Sequence, residues 1–72
     1  MSNQTDLLAI ASALPMDAAY EIELVVPPDG RPKHYLATVA DSKLRGTAGY
    51  GATRAEALRQ AVDSYLTIDR AA

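Results

Sequence analysis

Apolar and polar positions follow two different periods along this chain. Over residues 20–26, Tyr20, Ile22, Leu24 and Val26 alternate with Glu21 and Glu23. Period two is the signature of a strand with one buried face and one wet face. Over residues 53–68 the apolar positions become Leu58, Ala61, Val62, Tyr65 and Leu66. That spacing puts one stripe on one side of a helix. A shorter cluster of Leu7, Leu8, Ile10, Ala11 and Leu14 predicts a first helix over 4–14, capped by Ser2 or Thr5 and stopped by Pro15. Between the first strand and the next, residues 27–32 pack three prolines and Pro28-Asp29-Gly30 into a dense turn signal. Residues 33–40 predict its hairpin partner. Asp41-Ser42-Lys43 predicts another turn. Residues 44–50 predict a third, weaker strand that Gly46 and Gly49 interrupt.

The entry to the last helix carries the sharpest local signal. Gly49, Tyr50 and Gly51 read as a glycine-rich turn whose glycines serve backbone geometry. Thr53 and Glu56 then stand in capping-box spacing: the Thr hydroxyl accepts from the Glu56 N–H, and the carboxylate reaches back to the Thr53 N–H. The predicted order is helix, three strands, helix, in a single domain over residues 1–72. The fold class is α+β: an antiparallel meander with both helices on one face of the sheet and the other face in water.

Composition narrows the function classes. The chain of 72 residues is close to the lower limit for folding alone. It has no Cys, Trp or Phe, so its aromatic content is four tyrosines. Without Cys there is no disulfide or thiolate metal site, and a cytoplasmic location is the expectation. No run is apolar enough to predict a membrane span or a signal peptide. The net charge of −2 hides an asymmetry. Residues 1–30 carry five acids and no Lys or Arg, whereas residues 31–59 carry six bases against two acids. Such a distribution can steer a charged partner, although dispersed cations are ordinarily just solvated.

Two families share parts of this pattern. Residues 20–66 resemble the double-stranded-RNA-binding domain at Tyr20, the Gly30-Arg31-Pro32-Lys33-His34 loop, the Gly49/Gly51 turn and Thr53-Arg54. The resemblance implies a helix–three-strand–helix fold whose first loop contacts a minor groove. Here that loop carries one inserted residue before Pro32 and His34. It also implies a last helix whose opening lysines bridge phosphates. Here Arg54 alone keeps the charge, and Glu56 would face phosphate, which weighs against strong binding. The segment Gly51-Ala52-Thr53-Arg54-Ala55-Glu56-Ala57-Leu58, with Ala61, resembles the HicB-like antitoxin domain. Tyr35, Val39, Asp41 and Gly46 fall roughly where that family's preceding strand and turn lie. This resemblance implies a protein decoy that binds a small toxin and covers its active site. The departures are an absent Leu-Pro-Gly element, an extra first helix and no following DNA-binding module.

Candidate chemistry is sparse. His34 is the sole histidine, and no Ser, Cys or acid stands at a telling distance from it. Asp41 and Glu56 could pair across the glycine turn. The segment 46–51 could cradle a phosphate at a helix N-terminus, but it lacks the Lys-Ser/Thr ending of a nucleotide-binding loop. No catalytic residue, metal ligand or cofactor is assigned. The expected function is a non-enzymatic protein-binding regulator or inhibitor acting by steric occlusion of a toxin or a nuclease complex, antitoxin-like or of the phage anti-defence (anti-CRISPR-like) kind. Its candidate binding residues are Glu21, Glu23, Tyr35 and Tyr50. The alternative is a nucleic-acid-binding module using Arg31, Lys33, His34, Lys43, Arg45 and Arg54. A strand at the sheet edge can also pair with its own copy, so a homodimer is the favoured assembly and a monomer the alternative.

Overall fold

The structure is a computed structural model that describes residues 3–43 and 45–71. The expected cap of the first helix by Ser2 or by the Thr5 side chain lies outside what is described, as does Leu44 at the expected start of the third strand. Five elements follow in order: α1 (Asn3–Ala11), β1 (Ala19–Val25), β2 (His34–Ala40), β3 (Gly46–Gly51) and α2 (Arg54–Ala71). The strands form one antiparallel sheet in the order β1-β2-β3. The expected α+β meander is therefore the fold.

The first helix ends before Pro15. Ser12 Oγ donates to the Ala9 carbonyl at 2.6 Å. The following amides, Ala13 and Leu14, bond only three residues back, to Ile10 and Ala11. A serine that occupies a helix carbonyl competes with the backbone ladder, and the last turn tightens. At the next boundary Gly30 adopts φ +85°. This is the left-handed conformation that the Pro28-Asp29-Gly30 turn anticipates.

Register decides which residues share a face. Tyr20, Ile22 and Leu24 lie opposite Val39, Ala37 and Tyr35 of β2. Val39, Ala37 and Tyr35 in turn lie opposite Thr47, Gly49 and Gly51 of β3. This is the inner face. Helix α2 lies across it, chiefly over β3 and β2, and α1 packs against α2. The core comprises Ala37, Val39, Ala57, Leu58, Ala61, Val62 and Tyr65, with Leu7, Ile10, Leu14 and Ile22 half-buried around it. Burying Leu58 or Val39 stabilises the fold by roughly 1.5–3 kcal/mol each.

The glycines of β3 have a different purpose from the one the sequence suggests. Gly49 and Gly51 belong to the strand and not to a turn, and among the described glycines Gly30 alone has positive φ. What they provide is close approach. A Cβ on Gly49 would lie 2.4 Å from the Ala57 carbonyl oxygen and from the Ala61 nitrogen. A Cβ on Gly51 would lie 2.7 Å from the Ala57 nitrogen. Helix and strand backbones meet here, with Ala57, Ala61 and the Cβ atoms of Glu56 and Gln60 directly against the two glycines. Thr47 Oγ1 adds a 2.7 Å hydrogen bond to the Ala61 carbonyl.

Candidate functional site

The outer face of the sheet is uncovered by any described element. Its residues follow from the same register: Glu21, Thr38 and Ala48 in one row, and Glu23, Leu36 and Tyr50 in the next. Val25 and His34 form a third pair at the end. The His34 and Tyr50 rings lie 5.6 Å apart at 57°, a tilted aromatic contact that holds the imidazole on this face. Tyr50 remains 57% exposed. Two residues along one strand are about 6.6 Å apart and point the same way, so Glu21 and Glu23 project side by side. Between them, over Leu36 and Thr38, lies a recess of about 210 Å³. Neither carboxylate has an ion-pair or hydrogen-bond partner among the described residues.

Of the four residues expected to bind a protein, Glu21, Glu23 and Tyr50 thus share one face. Tyr35 does not. It sits on the inner face opposite Gly51, half-buried, with the Arg54 guanidinium carbon 5.4 Å from its ring centroid. That cation–π contact ties the start of α2 to β2.

The six residues of the nucleic-acid alternative are divided between the two ends of the sheet. Arg31, Lys33, His34 and Arg54 lie at the end where β2 begins and β3 finishes. Lys43 and Arg45 lie at the other, about 20 Å away along β2. Two of the six are also paired with acids: Arg31 Nε lies 2.7 Å from Asp29 and Arg45 Nε 3.0 Å from Asp41. At the first end the proline-rich loop, Val25 and His34 enclose an open recess of about 430 Å³.

Asp41 and Glu56 do not pair. Glu56 sits in the first turn of α2, whereas Asp41 meets Tyr65 nine residues further on, about 14 Å along the axis. Asp41 is instead the buried centre of the β2–β3 turn. Its Oδ1 accepts from the Lys43 and Arg45 amides at 2.9 and 3.0 Å. Its Oδ2 accepts from the Tyr65 hydroxyl at 2.6 Å and from Arg45 Nε at 3.0 Å. The Tyr65 hydrogen bond first, helped by the amides and Arg45, outweighs burial and lowers the Asp41 pKa from 3.8 to about 2. The same hydrogen bond, with burial, raises that of Tyr65. Beside it, Ser42 Oγ donates to Asp17 at 2.6 Å and ties the α1–β1 linker to this turn.

The capping box forms with one change. Thr53 Oγ1 accepts from the Glu56 amide at 3.1 Å, as expected. The Glu56 carboxylate takes the Ala52 N–H at 3.0 Å, one residue earlier than expected. The phosphate-cradle reading of 46–51 is corrected, because the segment is strand β3.

A further residue escaped the sequence reading. Gln60 Oε1 accepts the Tyr50 backbone N–H at 2.6 Å. β3 is an edge strand, and this side chain occupies one of its edge donors. The signal was invisible in sequence because the pair is ten residues apart on different elements. Compared with protein-family models, curated proteins and solved structures, the chain matches none. The HicB-like and RNA-binding-domain-like resemblances rest on the residues quoted for them.

Proposed function

We propose that this chain is a non-enzymatic binding module that recognises a basic protein surface through the outer face of its sheet and acts by covering it. The observation that carries the reading is the pair Glu21 and Glu23, side by side and without a partner among the described residues, on the same face as the exposed Tyr50. A rigid strand fixes the spacing of the two glutamates, so that binding has only their side-chain rotamers to order, and an exposed tyrosine supplies contact area with few rotors. Surfaces that bind nucleic acid are basic because they must neutralise phosphates. A toxin or a nuclease complex therefore presents the kind of surface this face complements, and occupying it excludes the substrate.

The test is capture from host lysate after nuclease treatment at physiological salt, with the wild-type chain and Glu21→Lys/Glu23→Lys. A stoichiometric protein retained by the wild type and lost by the charge reversal supports the reading. Recovery of RNA or DNA that depends on Lys33 and Arg54 and disappears as salt rises overturns it in favour of nucleic-acid binding.

A further inference from the structure

The two edges of the sheet are not equivalent. The β3 edge is rich in glycine and has its Tyr50 N–H taken by Gln60. The β1 edge is seven residues long and pairs with β2 one-to-one, without a bulge, from Ala19 to Val25. It contains no Pro and no basic residue, and its only charges are Glu21 and Glu23. Its two side-chain rows are both unsatisfied. Toward the outer face stand Glu21 and Glu23 with the recess between them. Toward the inner face, where α2 touches β1 only sparsely, stand Tyr20 at 37% and Leu24 at 49% exposure, with Ile22 half-buried between them against the core.

We propose that the β1 edge takes up an extended segment of the partner as a fourth strand, with basic side chains opposite Glu21 and Glu23 and apolar side chains opposite Tyr20, Ile22 and Leu24. The proposal rests on the binding reading above and specifies its partner: a strand of alternating basic and apolar residues. Strand addition draws affinity from the main chain and specificity from alternate side chains. Here period two separates charge from hydrophobicity on the host strand, so the guest must do the same in the complementary sense. A Lys or Arg on the guest strand opposite Glu21 or Glu23 brings its cationic head to that carboxylate across the new pair, within the reach of directly opposed side chains.

The same glutamates select against a second copy of this chain. An antiparallel β1–β1 pair keeps odd residues opposite odd residues. Centred on Ile22 it sets Glu21 against Glu23, and centred on Glu21 or Glu23 it sets a glutamate against itself. Like charges directly opposite are destabilising. The expected homodimer through this edge is therefore disfavoured at the registers that pair most of the strand.

The experiment uses three synthetic heptapeptides: alternating Val and Lys, alternating Val and Glu, and a Val/Lys version with prolines replacing two valines. Each is titrated into the full chain, followed by amide shifts and hydrogen exchange. The expected result is saturable binding of the first peptide, with added protection at β1 amides and no added protection at β3. The proline version binds at least tenfold more weakly, because it cannot donate to the ladder. Glu21→Lys/Glu23→Lys, confirmed folded by circular dichroism, reverses the preference toward the Val/Glu peptide. Equal binding of the Val/Lys and proline peptides without β1 protection overturns strand addition while leaving acidic-face recognition standing. No binding of any peptide at millimolar concentration overturns strand addition as well. A chain that is already dimeric, with β1 amides protected before peptide is added, assigns the edge to self-pairing and also overturns it. The lysate capture with the charge-reversed chain separately decides the underlying reading.

Discussion

Replacing Gly49 with alanine adds one methyl group to a strand, where alanine is normally no worse than glycine. In this fold it should be among the most damaging small changes. The new Cβ would lie 2.4 Å from the Ala57 oxygen and from the Ala61 nitrogen. An ordinary contact begins near 3.4 Å, so α2 must retreat by about 1 Å. Both obstacles are helix backbone, so no rotamer change relieves the overlap. Retreat would also stretch the Thr47–Ala61 hydrogen bond, now 2.7 Å. Overpacking of this kind typically costs about 1–3 kcal/mol, and a clash with rigid backbone belongs at the upper end. A domain of 72 residues has roughly 4–11 kcal/mol in total. A loss of about 3 kcal/mol would lower Tm by about 12–24 °C at this size. The assay is thermal and urea unfolding by circular dichroism, with Ala48→Thr as control. Ala48 is the adjacent residue, exposed on the outer face, and threonine suits a strand there. Gly49→Ala within about 0.5 kcal/mol of wild type would show that α2 does not rest on β3 at this distance, and the close-approach argument would fail.

Two other outcomes follow from local geometry. Because Asp41 titrates at about 2 in the folded chain and at an ordinary 3.8 when unfolded, its hydrogen bonds contribute full stability above about pH 4. That contribution should disappear as pH falls from there through about 2, so the Tm gap between wild type and Asp41→Asn should narrow over this window, and parallel Tm–pH curves would refute it. Thr53→Ala should cost about 1 kcal/mol by removing the acceptor of the Glu56 amide, read as a shift in the urea midpoint at unchanged slope. No shift would mean that the cap adds nothing to α2.

The elements and their order were legible along the chain, because they depend on short-range rules. Alternation at residues 20–26 needs only the pleat of a strand. The stripe from Leu58 to Leu66 needs only the helical period, and the Thr53/Glu56 spacing needs only one helical turn. Together these are enough to yield an α+β meander. The candidate face was half legible. Glu21 and Glu23 had to share a face because they are two apart, and nothing beyond the chain was needed to say so. Tyr35 and Tyr50 could not be sorted the same way. Their faces depend on which residues of β1, β2 and β3 lie opposite one another, and a one-residue change of register reverses every side chain. Pairing put Tyr50 in the same row as Glu23, with Leu36 between them, and sent Tyr35 under Arg54. Tertiary structure alone also decided the use of three other residues. Gly49 reads as a turn former until a helix is laid against it. Asp41 reads as a turn acid until Tyr65, 24 positions later, reaches its carboxylate. Gln60 reads as a solvated helix residue until the edge of β3 arrives beside it. In each case the deciding contact joins elements distant in sequence, and no local period encodes it.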